Sequence, residues 1–374
     1  MKFIRRLREK MSSMTDTNLL LTITIVVFVA MYLSAMIFIG GSFLRAQELF
    51  TMLNHNAHLI ILSCGLSLVM ITGGIDISVG GVTALVAMCS AVYIEEKGGN
   101  IWGAILISVA IGLAFGLVQG YLVAYLDIQP FIVTLAGMFF ARGMTTIVRS
   151  NQFNVTDKAF LALKDTHIII PYLGYWTKPR KGEPIYVDAY ITIGVIVALL
   201  VVVAMFCMLR WMKLGRNFYA VGGNSQSALM LGINVKRTKF LSHVICGLLA
   251  GIGGLVYFMK VGSGAPAHAS GEEMNAIASS IIGGTLLTGG VGNIIGTFFG
   301  VLSLSTIKDI VTSLGLQDAW WTGITTGAML CMFLVIQSIV LARKSNKAGK
   351  EAVAENAALV AQAVQAEVKE PGSK

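Results

Sequence analysis

The sequence predicts an all-α integral membrane protein with about ten transmembrane helices, some of them short or broken, and both termini in the cytoplasm. Three observations carry that reading. The 374 residues are 55% hydrophobic and only 13% charged, against about 25% charged in an ordinary soluble domain. Apolar runs of roughly 18 or more residues, each long enough to cross the hydrocarbon layer, recur along the whole chain. The formal charge of +9 would suggest nucleic acid in a soluble protein. Here the basic residues gather between the apolar runs, as membrane topology requires, so the expected surroundings are a lipid bilayer and no nucleic acid.

Residues 1–18 read as a basic cytoplasmic leader carrying Lys2, Arg5, Arg6, Arg8 and Lys10. The run over 19–41 is too long for a signal-peptide core and is taken as an uncleaved first span. Further spans are placed near 57–72, 77–94, 101–126, 130–149, 189–212, 240–260, 275–288, 293–316 and 320–342, so the polytopic domain covers 19–342. The loop 213–239 holds Lys213, Arg216, Lys236, Arg237 and Lys239 with no acidic residue, and lies inside on the positive-inside rule. The tail 343–374 opens with Arg343, Lys344 and Lys347, which agrees with an even number of crossings. It continues as an Ala-rich cytoplasmic segment, helical or disordered, to which no role is assigned. The outer loop 150–188 contains three of the six prolines and Trp176, a docking or lid surface. Trp320 and Trp321 open the last span at the outer interface, where indoles anchor well.

Glycine spacing indicates how the spans meet. Gly112, Gly116 and Gly120 recur every fourth residue in the fourth span, and Gly292, Gly296 and Gly300 do so in the ninth. That spacing lines one helix face and lets a neighbouring backbone approach closely. Five cysteines fall singly inside apolar stretches, without metal or redox spacing.

The stretch 68–88 has one charge, Asp76, between Gly73-Gly74 and Gly80-Gly81. A carboxylate at the centre of a span costs about 2.5–3.5 kcal/mol on insertion scales, although topology places Asp76 toward the cytoplasmic end, where the cost falls. The glycines predict a break between two spans, tolerated only where irregular backbone is buried in protein or lines a wet cavity. Asp76 then either faces a pathway or caps the third span, with Ser78 behind it. A similar phrase returns, TGGVGNIIG at 288–296 against TGGIDISVG at 72–80. Other polar residues near spans are Asn54, His55, Asn56, His58, Arg142, His243, Glu272, Glu273, Asn275, Lys308 and Asp309. Amides and hydroxyls both donate and accept, which suits a polyhydroxylated solute. The candidate substrate pathway is therefore Asn54, Asn56, Gly73, Gly74, Asp76, Ser78 and Asn275, with a satisfied interhelical hydrogen bond as the alternative for each.

The chain has no phosphate-binding P-loop, no H-E-x-x-H and no nucleophile elbow, so no catalytic residue, metal ligand or bound cofactor is expected. Any ATP-Mg is bound by another chain. In the inside loop, Gly222-Gly223-Asn224 predicts a turn, Ser225 a helix cap, and Gly232 a left-handed stop after Ala228, Leu229 and Met230. A helix of about two turns would present Leu229 and Met230 to a partner's groove. A bulky residue at Gly223 is expected to block that coupling.

GGIDISVGG, QPFIVTLAGMFFARGMT, GRNFYAVGGNSQSALMLGI and IASSIIGGTLLTGGVGN together resemble the permease subunits of ribose-type monosaccharide ABC importers, most closely those of galactofuranose importers. The resemblance covers about 40–343. It implies a ten-helix permease of the bacterial inner membrane, a second permease chain, identical or homologous, and a periplasmic sugar-binding protein docking outside. It also implies ABC ATPase subunits gripping a coupling helix that maps onto Gly223 to Gly232. The family's glycine-aspartate junction maps onto Gly73, Gly74, Asp76, Ser78 and Gly80, with Ile77 and Gly81 where members commonly have Leu and Ser. The competing expectation is an ion-coupled secondary transporter of a small polar solute with Asp76 at its coupling site; a passive channel is a third.

Overall fold

A computed structural model describes residues 16–177, 183, 185–316, 318, 320–339 and 342. The basic leader up to residue 15, the tail from 343 and part of the outer-loop tip lie outside the described residues. Nine described helices are long and apolar enough to cross a membrane. They are α1 (Asp16–Phe38), α2 (Ala46–Ile71), α3 (Val79–Lys97), α4 (Ile101–Ala124) and α5 (Pro130–Val148), then α7 (Ile193–Trp211), α10 (Val235–Val261), α12 (Ile294–Ser313) and α13 (Trp320–Ile339). Between them lie the short helices α6 (Lys158–Lys164), α8 (Lys213–Gly223), α9 (Ser225–Met230) and α11 (Glu272–Ile282). The outer loop folds β2 (His167–Thr177) against β3 (Ile185–Thr192) as an antiparallel hairpin, and β1 (Phe153–Asn154) pairs with β4 (Ser263–Gly264). These strands are additions to an otherwise α-helical protein.

Helix ends follow local chemistry. Pro130 occupies the first turn of α5, where its missing N–H costs nothing. Asn100 Oδ1 accepts from Gly103 N at 2.9 Å to open α4, and Asn234 Oδ1 accepts from Arg237 N at 2.9 Å to open α10. Gly98 and Gly262, at φ of 60° and 69°, end α3 and α10 in a conformation that a Cβ disfavours.

Helix α2 runs through the centre of the molecule, and every residue from 57 to 71 is buried. It packs on α10, α7, α11 and α12, while α10 also packs on α3 and α4. The predicted glycine seam is present. A Cβ on Gly116 would fall 2.8 Å from His243 O, and one on Gly120 2.9 Å from Phe240 O, so α4 and α10 cross backbone to backbone. Gly81 serves a similar contact, since a Cβ there would lie 2.9 Å from Met138 O of α5. In the ninth span Gly296 and Gly300 pack on Gly283 and Ser279. Gly292 precedes α12 instead and belongs to the turn before it.

Two predicted spans have different bounds. The second begins at Ala46, not 57, because Asn54, Asn56 and His58 find partners within the fold and the helix continues through them. The eighth, expected over 275–288, is helical only over Glu272–Ile282. Eleven residues rise about 16 Å, roughly half the hydrocarbon thickness. A loop of turns over 283–293 follows, closed by a bond from Leu286 N to Val291 O of 3.0 Å and tied to the end of α2 by one from Gly290 N to Ile71 O of 2.9 Å. The freed carbonyls of the half-helix are satisfied by neighbours, as a bilayer demands. Thr24 Oγ1 of α1 donates to Ile282 O at 2.8 Å, and Gln337 Nε2 of α13 donates to Ile281 O. Gln337→Leu should therefore destabilise the detergent-solubilised protein by about 0.5–1.5 kcal/mol, the net worth of one hydrogen bond, since Ile281 O keeps the bond from Gly284 N at 2.9 Å. An unchanged melting temperature would show that α13 does not support the broken span.

Candidate functional site

Two interruptions of the helical bundle, residues 72–78 between α2 and α3 and residues 283–293 between α11 and α12, meet on one side of it. Gly73 and Gly289 hold φ of +82° and +86°, and a Cβ on Gly289 would lie 3.0 Å from Gly73 Cα. These are equivalent positions of the two similar phrases, so the repeated Gly-Gly makes a close backbone contact between the two breaks.

Helix α8 seats directly on this junction. Phe218 is fully buried, and Tyr219 Oη donates to Gly292 O at 2.8 Å in the second break. A Cβ on Gly222 would collide with Ile71 O, at the end of α2, and stand 2.6 Å from Gly290 N. Gly223, expected to be the critical glycine, has open space where its Cβ would go. The steric requirement lies one residue earlier because α8 turns position 222 toward the junction.

Helix α9 follows at once. Asn224, not Ser225, caps it, with Oδ1 accepting from Ser227 N at 2.9 Å. An amide reaches the third residue's N–H as readily as a hydroxyl would, and the chain has no reason to start the helix one residue later. Gly232 stops it at φ +80°, with Ile233 N bonded to Ala228 O at 3.0 Å. Ala228 faces inward at 2% exposure, whereas Leu229, Met230 and Leu231 stand 63, 88 and 79% exposed. Grooves of about 590 Å³ and 420 Å³ flank the helix, sharing Ser225, Gln226 and Lys239. The basic residues Lys236 and Lys239 line the larger one.

Above the junction, Asp76 is buried at 1% exposure. Its Oδ1 accepts from Ser78 N at 2.9 Å and Ser78 Oγ at 2.6 Å, closing a turn that opens α3. The carboxylate stands beside the Cys246 thiol of α10, whose Cα is 3.2 Å from a Cβ placed on Gly65. Gly65 lies six residues before Ile71 in α2, or about 9 Å along the axis. Asp76 therefore lies within the bundle about 9 Å from the end of α2, because the chain after Gly73 turns back before α3 begins.

The remaining pathway candidates lie near the opposite end. Asn54 bonds Tyr190 O (3.0 Å) and Thr192 N (2.8 Å), tying β3 and the start of α7 to α2. Asn56 Nδ2 donates to Met52 O and Ser305 Oγ, both at 2.8 Å. Asn275 Oδ1 accepts from Lys308 Nζ at 3.1 Å. The start of α11 is held from two sides, with Glu272 3.5 Å from His58 of α2 and Glu273 3.7 Å from Arg142 of α5. Arg142 also donates to His268 O and Ala269 O. Burial lowers the pKa of His268, in the loop before α11, from its ordinary 6.5. Sequence reasoning missed Lys260, whose Nζ donates to His55 O at 2.8 Å, and Gln119, which accompanies Ser78. Gln119 was visible as the one amide in the apolar span 101–126. Among the described residues, no three His, Cys, Asp or Glu side chains gather as metal ligands.

Comparison with known proteins places this geometry. The family model for branched-chain amino acid transport system permease components matches residues 48–334. The chain belongs to this family of permeases. The permease is 32% identical to the fructose import permease protein FruG of Bifidobacterium longum, over 86% of its own length and 92% of that protein. It is 34% identical to the inner membrane ABC transporter permease protein YjfF of Escherichia coli, over 87% and 93%. It is 32% identical to the ribose import permease protein RbsC of Escherichia coli, over 79% and 88%. No solved structure matches. With nine apolar helices among its described residues, the permease is a multi-pass protein of the inner membrane, and the matched range includes both breaks, α8 and α9.

Proposed function

We propose that the permease is the transmembrane subunit of an ATP-driven sugar importer, forming the path for a monosaccharide delivered by a periplasmic binding protein. The observation that carries the reading is the seating of α8 on both breaks, with the apolar tip of α9 left exposed next to it. The permease holds the passage, and an ABC ATPase on the cytoplasmic side supplies the work. Leu229 and Met230 insert into a groove of that ATPase. Closure of the ATPases on ATP pushes α9, and α8 carries the push to Gly73, Gly289 and Gly292 through contacts that have no slack. The two breaks then move as one unit. A second permease chain, identical or homologous, completes the path, and both termini lie in the cytoplasm. The relatives named for fructose and ribose support a monosaccharide, and a panel of furanoses and pyranoses on the cognate binding protein identifies which one.

Leu229→Asp tests the reading. A charge at an apolar anchor should remove about 2 kcal/mol or more of docking energy, so the ATPase no longer copurifies and uptake is lost while membrane insertion persists. Retained uptake would refute the assignment of α9. Uptake into vesicles supplied with ATP but lacking proton and sodium gradients separates this reading from a transporter coupled to either ion, which would stop.

A further inference from the structure

The motif QPFIVTLAGMFFARGMT forms α5, and its Arg142 holds the start of α11. With α4 it walls a cavity of about 400 Å³, lined by Phe115, Val118, Gln119, Val133, Gly137 and Phe140 among others. Its rim is open, with Val118 and Phe140 60 and 62% exposed, and the Phe115 and Phe140 rings lie 6.1 Å apart. Its floor holds one polar group, the Gln119 side chain, which is 3% exposed. A Cβ on Gly137 would occupy the place of the Gln119 amide; the absence of a side chain at 137 is what lets the amide in.

That amide is only half satisfied. Ser78 Oγ stands 2.6 Å from Asp76 Oδ1 and 3.1 Å from Gln119 Oε1, and Gln119 Nε2 has no partner. A hydroxyl has a single hydrogen, and the shorter contact to the carboxylate claims it. With the amide turned over, its NH2 donates to Ser78 Oγ and its carbonyl lies against Gly137 in the cavity floor, again without a donor. In either orientation one end of the amide, packed against Gly137, has no hydrogen-bond partner, and an acyl chain in the cavity would leave it unpaired at a cost of several kcal/mol. A sugar hydroxyl both donates and accepts, so it satisfies either end, while the phenylalanine rings suit the apolar faces of a sugar ring.

We propose that the α4–α5 cavity is a station of the sugar path in which Gln119 pairs with a substrate hydroxyl. Asp76 and Ser78 are positioning residues: they do not touch the sugar but hold the amide from behind. The same three residues join the cavity to the first break, and through Gly73 and Gly222 to the coupling helix, so occupancy and the ATPase side share one rigid connection. The inference rests on the reading of the chain as a sugar permease.

The test uses the complete importer in liposomes, with Val118→Cys on the exposed rim and labelling followed by mass spectrometry of the peptide carrying position 118. A charged, membrane-impermeant thiol reagent should label position 118, and the transported sugar, but not a sugar that is not transported, should slow the reaction. Labelling by a lipid-soluble maleimide alone would mean that an acyl chain fills the cavity. Labelling by neither reagent would mean that a second permease covers it. Either result overturns the proposal, as does labelling at a rate indifferent to the transported sugar. Gln119→Leu and Gly137→Ala, which removes or displaces the same amide, should each raise KM for the sugar about fivefold or more, outweighing any fall in turnover. Loss of turnover at constant KM would assign Gln119 a purely structural role. An importer that moves no sugar at all overturns the functional reading itself, whereas one that moves sugar without protecting position 118 overturns only the cavity.

Discussion

Replacing Gly222 with valine (Gly222→Val) is expected to abolish ATP-driven uptake and to lower the melting temperature of the purified permease. The first added carbon would overlap Ile71 O and stand 2.6 Å from Gly290 N. Both obstacles are backbone, at the end of α2 and in the second break, so no side chain can swing aside to relieve the overlap. Overpacking of an ordinary core costs about 1–3 kcal/mol; against backbone on two sides the cost should reach or exceed the upper end. Relief requires α8 to lift, which breaks the bond from Tyr219 Oη to Gly292 O and disconnects α9 from the breaks. Gly223→Ala is the control, since its added carbon meets open space and the melting temperature should stay at the parental value. Uptake by Gly222→Val within about twofold of the parent would show that α8 does not carry the push, because a displaced α8 cannot leave a coupled rate so little changed.

Much of this architecture was legible in the sequence, and the parts that were not share a physical cause. The seam at Gly112, Gly116 and Gly120 could be read because four-residue spacing on a helix needs no knowledge of the partner. The left-handed stop at Gly232 followed from local conformational preference alone. The start of α2 was misplaced by eleven residues because Asn54, Asn56 and His58 look like the mouth of a span. Their partners, Tyr190, Thr192, Ser305 and Glu272, lie far along the chain, and only tertiary contact makes a helix through them favourable. The half-helix α11 was hidden for a similar reason. Thr24 and Gln337 support its freed carbonyls from opposite ends of the sequence, so nothing local signals that the backbone can leave the helix at Ile282. The hairpin β2–β3 went unread because the outer loop lacks clean alternation of apolar and polar residues, the pattern that marks a strand.

The candidate site was legible as a location more than as a mechanism. The similarity of 72–80 to 288–296 pointed to two like turns, and the structure brings them into contact. No sequence argument could say that Gly222 would sit over both. The choice between Gly222 and Gly223 depends on the rotation of α8 about its own axis, which is set by the burial of Phe218 and by the Tyr219 bond. Gln119 escaped because a single amide in an apolar span reads as an ordinary interhelical hydrogen bond; its orphaned end appears only when Ser78, Asp76 and Gly137 are placed around it.

Asp76→Asn and Asp76→Leu together should decide what the buried carboxylate does. Its visible task is to accept two hydrogen bonds, from Ser78 N and Ser78 Oγ. An asparagine carbonyl can accept both, and Asn is nearly as good as Asp at a helix start, so Asp76→Asn should keep uptake within about threefold of the parent, a change of under 1 kcal/mol. Leucine accepts neither bond. It leaves the buried Ser78 N–H unpaired, at about 1–3 kcal/mol, and turns the Ser78 hydroxyl away to donate to Gln119 Oε1, 3.1 Å distant. Asp76→Leu should therefore reduce uptake at least about tenfold, equivalent to 1.4 kcal/mol, even where the protein still inserts and binds its ATPase. The pair also separates the two classes of transporter. An importer driven through α9 needs an acceptor at position 76 but not a charge, whereas an ion-coupled transporter needs a group that can bind and release the ion. If Asp76→Asn abolished uptake while its melting temperature and ATPase binding stayed at parental values, the charge itself would be at work. The mechanical account of the coupling helix would then have to give way to one in which Asp76 carries the coupling ion.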